Sequence, residues 1–500
     1  MKNQVQLMTY VDRLTGGGLQ DLKHLLEGPL AGVFGGAHLL PFFHPIDGVD
    51  AGFDPIDHTQ VDPRLGSWSD LMSLGSNVEL MADLIVNHAS SLSPQFQDFS
   101  RHGSNSPYAG MFLTFDRVFP SGATEEDLLR IYRPRPGLPF TYSILANGQK
   151  CLLWTTFTPQ QVDIDVHHAQ GVTYINAILE RFHQAGVRAI RLDAVGYAIK
   201  KPGTSCFMIP ETFDFISDLT GRAQQLGIEV LVEVHSYYKR QIEIARRVDW
   251  VYDFALPPLV LYALLKADAK PLEQWLSIRP QNAITVLDTH DGIGVIDVGA
   301  DADGDPGLLE PSEINDLVES IHRLSNGQSK QATGAAANNL DLYQVNCTFL
   351  DALGNDEALY LIARAIQFFV PGIPQVYYVG LLGGRNDMEL LERSGVGRDI
   401  NRHYYDAEEV ASSLERPMVK RLLELIRLRN AHPAFNGDCT VGSSSRSLLS
   451  ITWTLSGHWI NLNVDLARHR ATIEYSVDQT GQSALAPIDS QTRSSHGEIR

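Results

Sequence analysis

Short apolar runs rich in β-branched residues alternate with segments of helical period along most of the chain. Strands are predicted at 5–11, 32–41, 80–87, 189–194, 230–234, 250–256, 284–287 and 374–379. Between them, Val172, Ile175, Leu179 and Phe182 share one helix face, as do Phe213, Ile216, Leu219, Ala223 and Leu226. Strand–helix units imply a parallel sheet, and eight of them imply closure into a (β/α)8 TIM barrel of the α/β class.

Two intervals break this rhythm. Residues 88–170 are rich in Ser, Pro and Gly, with YRPRPGLPF at 132–140, and residues 292–356 contain DADGDPG at 301–307. Structureless loops beyond ~15 residues are uncommon in a compact domain. Both intervals are therefore expected to be inserted subdomains, B and B', lying over the active end. After a helical stretch at 418–429 the period falls to two. Leu449, Ile451, Trp453 and Leu455 alternate, then Ile460, Leu462 and Val464, then Ile473, Tyr475 and Val477. That pattern predicts an antiparallel β domain with one buried face. The expected division is barrel at 1–87, 171–291 and 357–432, insertions at 88–170 and 292–356, and a C-terminal β domain at 433–500 with a frayed polar tail at 491–500.

With 44% hydrophobic and 20% charged residues the chain has material for a large core, which excludes disorder. A formal charge of −19 opposes nucleic acid and an anionic bilayer. Screening confines that field to roughly 10 Å, so one small anion in a local Arg and Tyr pocket remains compatible. The most apolar long stretch, 365–384, is interrupted by Pro371 and Pro374, and the chain starts on a strand pattern without an apolar signal region. Cys151, Cys206, Cys347 and Cys439 are too dispersed for a disulfide framework or a paired zinc or redox motif; they read as small buried hydrophobes. A cytoplasmic protein is expected, with small-molecule substrates, without nucleic-acid or membrane partners, and with a homodimer as its assembly.

In such a barrel, reactive groups stand at the C-terminal ends of strands. Four strands end in titratable residues: DLIVNH with Asp83 and His88, RLDAVGY with Arg191, Asp193 and Tyr197, LVEVHSY with Glu233 and His235, and LDTHDG with His290 and Asp291. Arg191 and Asp193, two apart on a strand, project to the same side. A guanidinium there is expected to keep the Asp193 carboxylate ionised, as a nucleophile requires. Glu233 ends an apolar run where desolvation favours the protonated form, as a general acid requires. One charged and one protonated carboxyl about 5 Å apart would make a retaining glycoside-cleaving pair. A lone Asp at a strand end is more often a helix cap or an ion-pair partner, but this set converges from four strands. His88, His290, Asp193 and Asp291 could also be metal ligands, although no HxH or HExxH pair anchors them.

DLIVNH, RLDAVG, LVEVH and THD resemble, in order and spacing, the four short motifs of the α-amylase family of retaining glycosidases. Longer blocks resemble its sucrose phosphorylase branch: GFDPIDHTQVDPRLGSW (52–68), IYRPRPGLPF (131–140), FTPQQVDID (157–165), VLDTHDGIGVID (286–297), NLDLYQVN (339–346) and GRDINRHYY (397–405). The similarity covers about residues 1–430. It implies reversible phosphorolysis of sucrose to α-glucose 1-phosphate and fructose, with Asp193 as nucleophile, Glu233 as acid and base, and Asp291 holding glucose hydroxyls. Asp50, Phe53, His88, Arg191, His290 and Arg398 would surround the glucosyl ring. Tyr197, His235, Leu342, Tyr343 and Gln344 would line the fructose or phosphate position, with Arg135, Tyr132 and Tyr343 receiving phosphate and Asp341 sharing that region in another loop arrangement. Asn87 matches a position that binds calcium in many amylases, but the insertion resembles the phosphorylase type, which needs no metal; no cofactor is expected. A sibling phosphorylase acting on glucosylglycerol stays open. Tyr343 argues against sucrose 6'-phosphate. A hydrolase or transglucosidase would release or transfer glucose regardless of phosphate, and an inactive barrel would have no reason to keep all three carboxylates.

Overall fold

The computed structural model describes residues 1–48, 50–134, 137–301, 304–334, 344–477 and 481–489. Eight parallel strands close on themselves: β1 (Gln6–Thr9), β2 (Gly36–Leu39), β3 (Glu79–Ile85), β4 (Ala189–Asp193), β5 (Glu229–Val232), β6 (Trp250–Asp253), β7 (Ala283–Thr285) and β8 (Ile373–Tyr377). β8 pairs back onto β1 with Gln375 opposite Gln6. Each strand coincides with a predicted run, and the fold is the expected TIM barrel. The runs at 284–287 and 374–379 end early as strands. Residues beyond Thr285 leave the ladder toward the site, and Tyr378–Leu381 coil into a helical turn.

Barrel interiors are usually filled by branched apolar side chains. Here a buried layer is polar: His38, Asp83, Arg191, Tyr252 and Gln375. The register places Asp83 of β3 directly beside Arg191 of β4. Asp83 pairs with both Arg191 and His38, the latter at 3.0 Å, and the Tyr252 hydroxyl donates to Gln375 Oε1 at 2.9 Å. Buried polar groups are tolerated when mutually satisfied, and such a network holds each member in one orientation.

Between β3 and the helix Ala169–Gln184, the chain forms the helix Pro94–His102 and the hairpin Phe140–Ile144/Lys150–Trp154. His88–Ser90 pairs antiparallel with Gln161–Asp163, so this segment begins and ends at one place on the barrel rim. After β7, Ile293–Gly294 pairs with Gln344–Val345, and the helices Pro311–Leu324 and Gln328–Thr333 fill the interval. Irregular in sequence pattern, this interval nonetheless starts with an amphipathic helix, with Leu317, Val318 and Ile321 buried.

The C-terminal sheet runs β9 (Asp438–Ser445), β10 (Leu448–Leu455), β11 (His458–Asp465), β12 (Arg470–Val477) and β13 (Gly481–Asp489), all antiparallel. Leu449, Ile451, Trp453, Ile460, Leu462, Val464 and Ile473 are buried as the alternation predicts. Val477 is not: it is 46% exposed, while Ser476 is buried, bonded to Trp459 N and O, and its carbonyl accepts from His432 Nε2. Polar contacts there outcompete the period-two rule. Trp453 Nε1 donates to Phe369 O at 2.7 Å and locks the sheet to the barrel. The tail at 491–500 lies outside the described residues. Among the described residues no helix is long and apolar enough to cross a membrane, and the four cysteines are free thiols.

Candidate active site

Asp193 is the last residue of β4, and Glu233 follows β5 by one position. Ala194, at φ 54°, turns the chain out of β4 into a short 3-10 segment that carries Tyr197. A left-handed conformation is costly for a residue with a Cβ, and it persists where the surroundings hold it. Arg191 Nη1 lies 2.9 Å from Asp193 Oδ1 and its Nη2 lies 3.6 Å from Glu233 Oε1. One guanidinium therefore touches both carboxyl groups, which bounds their separation to less than a nanometre. The third carboxylate, Asp291, arrives on the loop after β7. Arg398 Nη1 is 2.8 Å from Asp291 Oδ1 and Arg402 Nη2 is 3.6 Å from it.

These groups line a cavity of about 110 Å³ at the C-terminal mouth of the barrel. A single water needs only ~10–15 Å³, so the space has room for far more than one water. Of the residues expected at the site, Asp50, Phe53, His88, Asp193, Tyr197, Glu233, His235, His290, Asp291 and Arg398 line it. Phe53 stacks on His290 at 5.0 Å between centroids, and its carbonyl meets His88 Nε2 at 2.9 Å. Arg191 sits behind the carboxylates, buried. Gln344 is also set back, its Oε1 accepting from Gly292 N at 3.3 Å, because the bridge to Ile293–Gly294 draws it toward the backbone. Tyr132 stacks on Phe207 at 4.5 Å and on Tyr197 at 6.2 Å, behind the wall that Tyr197 and Phe207 present. Arg135, Asp341, Leu342 and Tyr343 lie outside the described residues.

At Asp193 the electrostatics differ from the expectation. Burial, joined by the charges of Glu233, Asp83 and Asp291, pushes the Asp193 carboxyl well above the usual carboxylate range, although Arg191 opposes it. The guanidinium alone does not keep Asp193 ionised, because its charge is shared with Asp83 and Glu233. Asp291 behaves oppositely: burial raises it, but Arg398 and Arg402 outweigh burial and hold it far below the usual range. Burial keeps His88 and His290 neutral.

Three partners were not singled out in the sequence. Arg402 Nε donates to His290 O at 2.8 Å and Asn401 Nδ2 to Thr289 O at 2.9 Å, fixing the loop that carries Asp291. Both belong to the block GRDINRHYY, where Arg398 alone had been assigned a role. The third is Lys200, whose ammonium lies 2.8 Å from Asn87 Oδ1 and 2.7 Å from Asp163 Oδ2 and also meets Tyr197 O. The chain thus supplies a positive charge of its own at Asn87, the position that matches a calcium-binding one in many amylases. Removing one member of a buried ion pair costs ~3–5 kcal/mol. Lys200→Met is accordingly expected to lower the urea-denaturation midpoint by that equivalent, with EDTA leaving wild-type activity unchanged.

A barrel with carboxylates at the ends of its fourth and fifth strands and after its seventh, two of them on one guanidinium, has the site of the retaining α-glycoside-cleaving enzymes. Residues 33–241 match the alpha-amylase catalytic domain model. The chain is 63% identical over 488 residues to a sucrose phosphorylase of Agrobacterium vitis, covering 97% of this chain and 100% of that one. It is 40% identical to a glucosylglycerol phosphorylase of Marinobacter adhaerens, covering 97% and 98%. The crystal structure of sucrose 6F-phosphate phosphorylase from Thermoanaerobacter thermosaccharolyticum superposes with a TM-score of 0.89 at 38% identity, covering 97% and 98%. The chain belongs to the sucrose phosphorylase family, a branch of the α-amylase-type barrels.

Proposed function

We propose that the chain catalyses the reversible phosphorolysis of sucrose to α-D-glucose 1-phosphate and D-fructose. The observation that carries this reading is Arg191 spanning Asp193 and Glu233 at the mouth of the barrel. Asp193 attacks C1 of the glucosyl unit while the bond to the fructosyl oxygen breaks and Glu233 gives that oxygen its proton. Retention calls for carboxyls about 5–5.5 Å apart, a spacing that a shared guanidinium favours. A phosphate oxygen then attacks C1 from the face fructose left, Glu233 takes the phosphate's proton, and Asp193 departs. Asp291, held anionic by Arg398 and Arg402, binds glucose hydroxyls and stabilises the positive charge that develops on the ring. Asp50, Phe53, His88, His290 and Arg398 enclose the glucosyl ring and Tyr197 and His235 border the acceptor; the resemblance assigns Leu342 and Tyr343 to the acceptor and Arg135 with Tyr343 to phosphate, with Gln344 and Tyr132 supporting them from behind the cavity wall.

Incubation with sucrose and inorganic phosphate is expected to yield α-glucose 1-phosphate and fructose in equal amounts, with kcat/KM for sucrose above that for glucosylglycerol. A glucosylglycerol preference above tenfold would reassign the substrate; glucose release indifferent to phosphate would reassign the reaction. The assembly proposed with this reading is a homodimer, for which Tyr142 and Ile144, 60% and 62% exposed on one face of the first insertion's hairpin, offer apolar surface. Four free thiols suit a cytoplasmic location.

A further inference from the structure

Arg402 lies between two carboxylates of different loops. Its Nη2 is 3.6 Å from Asp291 Oδ1 and its Nη1 is 3.6 Å from Asp399 Oδ1. Of the two, Asp291 lines the cavity and Asp399 does not. Nε of Arg402 donates to His290 O, but Nη2 is buried without a hydrogen bond among the described residues, so charge alone keeps that end of the guanidinium near Asp291. A second guanidinium approaches the same oxygen of Asp399: Arg13 Nη1 is 3.9 Å from Oδ1. Arg13 belongs to the short helix Val11–Thr15 that follows β1, and it is buried. Its Cζ lies 4.3 Å from the ring centroid of Tyr10 and 4.5 Å from that of Tyr404. Its Nη1 donates to Arg402 O at 3.3 Å, and its own carbonyl accepts from Tyr405 N at 2.7 Å. A planar, weakly hydrated guanidinium suits such stacking better than an ammonium does.

We infer that Arg13 is a positioning residue: it neutralises Asp399 and so leaves Arg402 to Asp291, the carboxylate that holds the glucosyl ring. The inference rests on the phosphorylase reading and extends it to a residue outside the cavity. Two guanidiniums beside one carboxylate oxygen repel each other. Arg13 is fixed by two rings and a carbonyl, whereas Arg402 is fixed by a single carbonyl, so Arg402 is the one that gives way, toward Asp291. Without the charge of Arg13, Asp399, 13% exposed along its side chain, keeps one cation only. A largely buried carboxylate that has lost a partner draws on the one that remains. Arg402 then turns toward Asp399, and Asp291 loses one of the two guanidiniums that hold it anionic. Arg398, 2.8 Å from Asp291 Oδ1, stays in place, so the glucosyl site is loosened and not destroyed.

The test is a double-mutant cycle in the full-length chain between Arg13→Met and Asp399→Asn. Arg13→Met is expected to raise KM for sucrose and for glucose 1-phosphate together, at least fivefold, because both present the same glucosyl unit. KM for phosphate, which meets a glucosyl unit already bonded to Asp193, is expected to stay within twofold. Asp399→Asn removes the competing charge, so alone it should leave all three constants within twofold of wild type, and added to Arg13→Met it should restore KM for sucrose to within twofold. A purely structural role predicts the opposite, a double variant worse than either single one. A route through Tyr10, whose ring meets that of His290 edge-on at 6.3 Å, would likewise not be mended by Asp399→Asn. Should Arg13→Met not fold, Tyr404→Ala takes one stacking ring from Arg13 at a position 45% exposed. It is expected to raise both glucosyl-donor constants at least threefold, with the same rescue. Donor constants within twofold of wild type in the Arg13 or Tyr404 variant, or a double variant no better than the single one, overturn the inference. A wild-type chain that forms no glucose 1-phosphate overturns the phosphorylase reading instead. KM for α-glucosyl fluoride, which reads the glucosyl site without fructose or phosphate, then decides the part of Arg13 by the same cycle.

Discussion

Asp193→Ala is expected to lower kcat for sucrose phosphorolysis on the order of 10⁴–10⁶-fold, the scale on which loss of a catalytic nucleophile acts. The fold has no need of this carboxyl. Arg191 keeps Asp83 and Glu233 as partners when Asp193 is gone, and removing one member of a crowd of like charges relieves repulsion. The variant should therefore denature no more easily than the wild type, which separates a chemical defect from an unfolded one. Its intact mass should show no glucosyl adduct under any condition. In the wild type, the raised Asp193 carboxyl sets the acid limb of activity. Protonation silences the nucleophile, so kcat/KM for sucrose falls as pH drops through the raised value, above the ~3.9 of an ordinary aspartate. A wild-type rate in Asp193→Ala would remove the double displacement from consideration.

Glu233→Gln should cost about 10²–10⁴-fold in kcat/KM for sucrose, the usual contribution of a positioned acid. The defect is expected to depend on the leaving group. Fructose departs as a basic alkoxide unless it is protonated, whereas fluoride leaves α-glucosyl fluoride without a proton. With the fluoride, formation of the glucosyl–Asp193 intermediate should stay within about tenfold of wild type. The second step then lacks its base, and the adduct should accumulate and be visible by mass spectrometry. Equal losses with both substrates would show that Glu233 does not act on the leaving oxygen.

What could be read from the sequence divides along contact distance. β4 placed Arg191 and Asp193 on one side of a strand two residues apart, and that relation is a property of any strand. The barrel itself followed from eight apolar runs, because a buried parallel strand announces itself locally. The partners that tune the site are remote in sequence. Asp297 meets His235 across 62 positions, Arg402 meets His290 across 112, and Lys200 meets Asn87 across 113. No period in the chain encodes those pairings; they exist only once the strands are in register. The polar layer inside the barrel was hidden for the same reason, since His38, Asp83, Arg191, Tyr252 and Gln375 reach one another only across strands. The expectation that Arg191 by itself would keep Asp193 charged failed because a motif shows one neighbour, while the folded site presents three further carboxylates.

Lys200 has a consequence for where such an enzyme can operate. The positive charge that joins Asn87 at the end of β3 to Asp163 at the return of the first insertion is tethered to the backbone seven residues after Asp193. It cannot be diluted, chelated or exchanged, so the joint between rim and insertion closes during folding without waiting for an ion from the medium. A catalyst built this way keeps its working shape amid millimolar phosphate, its own co-substrate and a precipitant of divalent cations.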